Sequence, residues 1–348
     1  FYGQTAGAAA AASISFASTY ALGRAACLYL FRRVAGEPIF VLGAGVLVGL
    51  GLSGTTFPVI FGTISRLVPP ERRSLAMGIT MSVGSFGQFI MLPASLGLIA
   101  WLTWPGALIA LAGLAALMVP LAFGLREGSA RTVGVPSASS GAEPDAMAAL
   151  REALGARDFW LLSLGFFVCG FQVVFIAVHL PAFLQDEGLN ATVATTVLAL
   201  IGLVNIAGTY YAGLWGGRRR KPMLLAWIYL GRALAIAAFV LLPVTTLSAY
   251  LFGITMGLFW LSTVPLTNGT VASVWGVRHL SMLGGVVFFA HQLGSFLGGW
   301  LGGRLYDATG SYDAAWTIAI GLSLIAAVLN LPIRETPVDA RGAAAASR

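Results

Sequence analysis

The sequence predicts an all-α, polytopic membrane protein made of two related helical halves. The composition excludes an ordinary soluble domain, since 58% of the residues are hydrophobic and only 9% are charged, whereas soluble domains carry about 25% charged residues. Apolar runs of roughly 20 residues, the length needed to cross a bilayer, recur along the chain. The pattern T-x-P-x-x-x-G-T also occurs twice, at 56–63 and at 263–270. Such long-period self-similarity indicates an internal duplication.

The first half is predicted to cover residues 1–125, with apolar runs at about 4–31, 39–64, 74–100 and 105–124. The second half, 159–333, contains six runs, at about 159–184, 192–215, 222–243, 247–272, 281–303 and 314–332. If the halves match, about 10 of 12 transmembrane helices are present. The sequence then reads as N-terminally incomplete, with the first two helices preceding it.

A polar segment, 126–158, links the halves and is rich in Ser, Gly, Pro and charge. Within it Met147, Leu150 and Leu154 lie at i, i+3 and i+7, which predicts a short amphipathic helix at the membrane surface. The tail, 334–348, is predicted to be disordered. If linker and tail share one side of the membrane, that side receives 15 of the 20 Lys and Arg residues. Both are therefore predicted to be cytoplasmic, in a multi-pass protein of the inner (plasma) membrane.

Other function classes fit the sequence poorly. The net charge of +7 does not indicate nucleic-acid binding, because the basic residues lie between apolar runs rather than on one polar face. Cys27 and Cys169 lie inside apolar runs and are interpreted as small core residues, not as a disulfide or metal site. A membrane enzyme would need a nucleophile and its base in one pocket, which three histidines without an intramembrane carboxylate do not provide. We therefore expect no catalytic residue, metal or cofactor.

Several motifs carry a resemblance to a known family. The segment 303–310, GRLYDATG, has the form G-x-L-x-D-x-x-G, and 213–220, GLWGGRRR, is a degenerate copy in which Gly217 replaces the aspartate. The segments 69–73 (PPERR), 171–172 (FQ) with 179–181 (HLP), and 310–313 (GSYD) are further matches. In these residues the sequence resembles the major facilitator superfamily, and in particular its bacterial monocarboxylate-transporter-like branch.

The resemblance implies two six-helix halves that rock about a central site, as in a secondary active transporter working by alternating access. A small organic anion such as a monocarboxylate is the expected substrate, a proton is the candidate coupling ion, and a monomer in the lipid bilayer is the expected state. A drug or metabolite efflux antiporter is the alternative within this class, although Gln88 follows Gly87 where such proteins carry Gly-Pro. An alternative of another class is a non-transporting membrane sensor or an inactive truncated product.

Two ionisable residues lie deep in apolar runs, where a charge costs roughly 2.5–3.5 kcal/mol to insert. Arg232 lies about 15 Å along its run from Pro222, near mid-membrane. It is either an anion site or a packing residue, and its counterpart Arg24 in the first half favours packing. His291 either borders the cavity, where it can bind substrate and exchange a proton, or hydrogen-bonds a neighbouring helix. Small residues follow it along one face: Gly294, Ser295, Gly298 and Gly302.

Four further polar residues are candidate contacts for the solute: Gln172, His179, Asn205 and Asn268. Gln172 and His179 share one face of a helix that the resemblance places beside the cavity. Asn205 and Asn268 are either binding groups or interhelical hydrogen-bonding groups. All 13 Asp and Glu residues lie in loops or at helix ends, so the proton-coupling group is His291, lies in preceding helices, or is absent.

The repeated pattern is interpreted as a hinge and contact device. Pro58 and Pro265 each interrupt a helix hydrogen bond, and glycines four positions later, Gly62 and Gly269, permit close packing. A structural role is also expected for the loop signature, through Gly303, Asp307 and Gly310.

Overall fold

A computed structural model of the protein describes residues 56–118, 120 and 146–337. The chain within these ranges forms ten helices and no strands. In chain order they are α1 (Phe57–Leu67), α2 (Pro70–Ala116), α3 (Ala146–Gly155), α4 (Arg157–Asp186), α5 (Ala191–Gly216), α6 (Lys221–Leu241), α7 (Thr246–Phe259), α8 (Thr263–Trp275), α9 (Leu280–Thr309) and α10 (Asp313–Asn330). The predicted run at 4–31, most of the run at 39–64 and the tail from 338 onward lie outside the described residues.

Seven described segments are long and apolar enough to cross a membrane. One lies in α2, at 70–91, and the other six follow the runs predicted for the second half to within a few residues. The two runs predicted at 74–100 and 105–124 are joined in α2, with a kink at Thr103 (φ 61°). Pro105 lies two residues after the kink; it has no N–H to donate, and its ring excludes the carbonyl four positions earlier, at Trp101.

The run predicted at 247–272 is two helices rather than one, because a turn at 260–262 separates α7 from α8. Pro265 explains this turn, since its ring excludes the carbonyl four positions earlier and it has no N–H to donate. Before the turn, the Trp260 N–H bonds to the Gly257 carbonyl at 3.3 Å, a tighter i to i−3 bond. Among the described residues, no backbone N–H of the turn bonds to the carbonyls of Phe259 and Trp260.

Helix α4 is the centre of the second half and packs against α9 and α10. Gly294 and Gly298 of α9 lie directly against the backbone carbonyls of Phe167 and Phe171, so a methyl group at either glycine would collide with α4. Close backbone approach through small residues is characteristic of packing between membrane helices. The small residues that follow His291 along one face of α9 thus form a contact surface between α4 and α9.

Helices α1 and α2 touch the later helices mainly along two seams, α2 with α5 and α1 with α9, and α8 also contacts α2. In the first seam Gly78 and Gly213 face each other, and a Cβ atom on Gly78 would lie 2.7 Å from the Gly213 Cα. One turn further, Ser82 Oγ and Thr209 Oγ1 are 3.0 Å apart. The first seam therefore combines small residues in close contact with a polar contact between two hydroxyl groups.

Helix α3 lies in the segment predicted to be an amphipathic linker helix. Its buried residues are Ala149 and Ala153, and Leu150 packs beside the core. The other two residues of the predicted apolar face, Met147 and Leu154, are exposed. Both are thus free to lie against lipid at the membrane surface.

Candidate functional site

The turn between α7 and α8 is held by a fully buried arginine from α6. Arg232 lies near the middle of α6 and has no exposed surface. Its Nη2 donates to the Phe259 carbonyl at 2.7 Å and to the Trp260 carbonyl, and Nε donates to Phe259 at 3.2 Å. These are the carbonyl groups that the turn leaves without backbone partners. The C-terminal end of α7 also carries a partial negative charge, which favours a cation there.

The same turn is held from a second side by an asparagine of α5. Asn205 Oδ1 accepts the Leu261 N–H at 2.9 Å, and its Nδ2 donates to Ser85 Oγ of α2 at 2.8 Å. Asn205 is fully buried, so both ends of its amide are bonded as a buried polar group requires. This amide therefore ties the α7–α8 turn to a helix of the first half.

The remaining bonds of Arg232 reach α4. Nη1 donates to Gln172 Oε1 at 3.3 Å and Nη2 to Cys169 Sγ at 3.5 Å, while Gln172 Nε2 donates to the Ala319 carbonyl at 2.9 Å. Among the described residues, no carboxylate bonds to Arg232. A buried charge is costly unless it is well hydrogen-bonded, so here carbonyl dipoles, an amide and a thiol solvate the guanidinium.

His291 of α9 lies beside Cys169 and is the last member of this set of buried polar residues. Cys169 Sγ lies 3.1 Å from Thr263 Oγ1, and the thiol is close enough to the His291 imidazole for the two to interact electrostatically. His291 is 7% exposed, and its Nδ1 lies 3.4 Å from Ser295 Oγ. Its Nε2 has no partner of hydrogen-bonding geometry in the described part of the chain. We call this set the polar cluster: Cys169, Gln172, Asn205, Arg232, Thr263 and His291.

Two of the predicted solute contacts lie apart from the polar cluster. His179 is seven residues after Gln172, about 10 Å along α4, and its Nε2 is 2.9 Å from the Gly299 carbonyl. Asn268 is buried in α8, where its Nδ2 donates to the Val264 carbonyl at 3.0 Å. Its Oδ1 has no hydrogen-bond partner among the described residues.

The repeated pattern lies at the start of a helix in both copies. Pro58 is the second residue of α1 and Pro265 the third of α8, and a proline in the first turn costs no helix bond of its own. Gly62 lies against Ser281 of α9 with no room for a side chain, and a Cβ atom on Gly269 would lie 2.9 Å from Lys221 Cδ. Both glycines therefore permit close contacts.

The loop signature lies at the end of α9. Gly310 ends this helix in a left-handed conformation (φ 70°), which glycine adopts without strain. Gly303 lies beside the ring of His179, and Asp307 is exposed. These positions shape the turn between α9 and α10.

Three members of the buried hydrogen-bonded group are not predicted from the sequence: Cys169, Thr263 and Ser85. One signal was available, because Cys169 precedes Gln172 by three residues and therefore lies on the same helix face. No sequence pattern indicates that Thr263 and Ser85 meet these residues, since the contacts join helices far apart in the chain.

The polar cluster combines a fixed positive charge with an imidazole. The donors of Arg232 are bonded to protein groups, so the arginine supplies fixed positive charge. Within the described residues His291 Nε2 has no hydrogen-bond partner, so this nitrogen is available to bond a ligand. No group of three His, Cys, Asp or Glu residues able to hold a metal ion occurs in the described part of the chain.

Comparison with known proteins identifies the family. Residues 7–299 match the model of the Major Facilitator Superfamily. The chain belongs to the major facilitator superfamily. Over 308 residues it is 29% identical to Monocarboxylate transporter 12 of Xenopus laevis, covering 81% of this chain and 65% of that protein. Over 291 residues it is 28% identical to Monocarboxylate transporter 13 of Rattus norvegicus, covering 80% and 63%. The chain thus spans slightly less than two thirds of the length of these relatives.

Solved structures of the superfamily share the fold. The E. coli fucose:proton symporter FucP aligns with a TM-score of 0.66 at 13% identity, over 94% of this chain and 83% of that one. FucP in the outward conformation gives 0.67 at 14% identity, over 94% and 82%, and the human organic anion transporter MFSD10 gives 0.58 at 18%, over 94% and 83%. The predicted all-α multi-pass membrane fold and the resemblance to monocarboxylate transporters of this superfamily are confirmed.

Proposed function

We propose that this superfamily member is a secondary active transporter that moves a small organic anion, such as a monocarboxylate, by alternating access. The observation that carries the proposal is the polar cluster, which buries a permanent positive charge and an imidazole, and in which no carboxylate of the described residues bonds to Arg232. Such a site favours an anion over a cation or a neutral solute. The names of the relatives, monocarboxylate transporters, support the same substrate class.

Within this proposal the candidate residues have different roles. Arg232 is a positioning residue that holds the α7–α8 turn together with Asn205, and Gln172 orients its guanidinium. His291 is the proton-coupling residue and a contact for the solute. Asn268, whose Oδ1 is unpartnered, is a second polar contact, and His179 becomes one only when its bond to Gly299 opens.

Alternating access requires seams between the halves that open and close. The seams of α2 with α5 and of α1 with α9 suit this purpose, because small residues give close shape fit without many bonds to break. The bond from Asn205 to Ser85 links the first seam to the polar cluster. Separation of α2 from α5 would therefore break the Asn205–Ser85 bond, and Asn205 also holds the α7–α8 turn.

Counterflow in liposomes tests the substrate class. Full-length protein is reconstituted with an unlabelled solute inside, and entry of the labelled solute is followed for small carboxylates, sugars and organic cations. Uptake of carboxylates well above protein-free liposomes is the expected result, with sugars and cations at background. Counterflow of sugars or cations alone would contradict the anion assignment.

We further propose that the linker and the tail face the cytoplasm, in the inner (plasma) membrane, as the distribution of basic residues favours. The α4–α5 turn then faces outward and the α5–α6 turn inward. In intact cells, Glu187→Cys is expected to react with a membrane-impermeant maleimide, and Arg218→Cys only after permeabilisation. The unmodified protein is the control for any labelling of its own cysteines, Cys27 and the fully buried Cys169. The reverse labelling pattern would show that the orientation is inverted.

A further inference from the structure

A groove of about 470 Å³ lies on the surface of the helical bundle at the turn between α5 and α6, away from the polar cluster. Two arginines and four apolar residues line it: Trp215, Arg219, Arg220, Met223, Leu224 and Trp227. The groove thus combines concentrated positive charge with apolar surface at the end of two membrane-spanning helices.

Within the described residues, no carboxylate bonds to the two arginines of this groove. The nearby carboxylate, Glu335, is bonded to Lys221, with Oε1 2.5 Å from Nζ and Oε2 2.9 Å from the backbone N. Arg220 donates one Nη2 bond to the Ile333 carbonyl at 3.1 Å. Arg219 is exposed and lies in the groove with no carboxylate among the lining residues. A ligand that matches this groove therefore carries negative charge.

The apolar lining shows that the ligand has an apolar part as well. Trp215, in the last turn of α5, is 53% exposed, and Trp227 in α6 is 62% exposed. Tryptophans at the ends of spanning helices lie at the level of the lipid headgroups. Trp227 is eight residues beyond Arg219 and six residues beyond Lys221, the first residue of α6, which is about 9 Å of helix. The charged end of the groove thus lies at the headgroup level and its apolar end reaches the acyl chains.

We propose that this groove binds an anionic phospholipid, with the phosphate between Arg219 and Arg220 and the first part of an acyl chain along Trp227 and Met223. Basic pockets between membrane helices are suited to anionic headgroups. A free phosphate ion would meet the two arginines and leave the exposed tryptophans uncovered. The groove shares no residue with the polar cluster. Failure of the lipid proposal would therefore leave the proposed substrate class untouched, and failure of the substrate proposal would leave this one untouched.

Native mass spectrometry of the detergent-purified, full-length protein tests the proposal. We expect phosphatidylglycerol to bind more tightly than phosphatidylcholine of the same chain length. Arg219→Gln is expected to weaken phosphatidylglycerol binding about fivefold, the effect of removing one basic side chain near an anionic surface. Arg218→Gln is the matched control, since Arg218 belongs to the same basic run but does not line the groove, and it is expected to keep wild-type binding.

Three results would overturn the assignment. Equal binding of the two lipids would show that charge does not select the ligand. An equal loss in Arg218→Gln and Arg219→Gln would show a diffuse basic surface rather than a built groove. Binding of inorganic phosphate as tight as that of phosphatidylglycerol would show that the tryptophan-lined part contributes nothing.

Discussion

Replacing Arg232 by methionine is expected to destabilise the protein by at least about 2 kcal/mol, although it removes a buried charge. Replacement of a buried charge by an apolar residue can be stabilising when its partners are replaced too. Here the carbonyls of Phe259 and Trp260 would stay buried without a donor, and an unsatisfied buried acceptor costs about 1–3 kcal/mol. The Asn205 contact would also lose the fixed turn to which it bonds.

Thermal unfolding in detergent measures this loss. Arg304→Gln is the matched control, because Arg304 is exposed at the far end of α9 and its loss removes the same formal charge. We expect this control to unfold at the wild-type temperature. Wild-type stability of the Arg232→Met protein would contradict the role of Arg232 in holding the turn.

Replacing His291 by glutamine is expected to abolish the pH dependence of transport. Uptake by the unmodified protein should rise as the external pH falls, because the proposal couples inward movement of the solute to a proton carried by His291. Glutamine keeps a polar side chain but cannot carry this proton. The ionisable group that faces His291 from α4 is Cys169, with Arg232 bonded to the same thiol, and neither is changed by the substitution.

Two controls separate loss of coupling from loss of folding. Counterflow, which exchanges solute without net proton movement, is expected to persist in the His291→Gln protein. His279→Gln changes a histidine at the start of the same helix and should leave the pH profile unchanged. A normal pH profile in the His291→Gln protein would remove His291 from proton coupling.

The fold was largely predictable because each span is a contiguous apolar run bounded by polar turns. The bounds of α4, α5 and α6 follow from Asp158, Glu187 and Lys221 and their neighbours, residues that do not enter the bilayer readily. The division of one predicted run into α7 and α8 was not foreseen. A proline near the start of a helix cannot be told from one in a helix interior by sequence alone. In addition, Arg232 and Asn205 stabilise the turn through contacts from helices that are distant in the chain, and no local sequence pattern indicates these contacts.

The site was predictable in part for the same physical reason. Arg232 and His291 were recognised because a charged or ionisable group in an apolar run requires partners. Cys169 was interpreted as a small core residue, since a thiol in an apolar run carries no such signal. Its bonds to Thr263 and Arg232 depend on tertiary packing, which places three helices around one sulfur atom.

Counterflow of a labelled monocarboxylate, measured with full-length protein in liposomes at several pH values, tests the central claim most directly. The predicted result is exchange of small carboxylates that unlabelled carboxylates inhibit, and that sugars and organic cations at equal concentration do not. Exchange restricted to neutral or cationic solutes would contradict the claim that the buried positive charge of this superfamily member serves an organic anion.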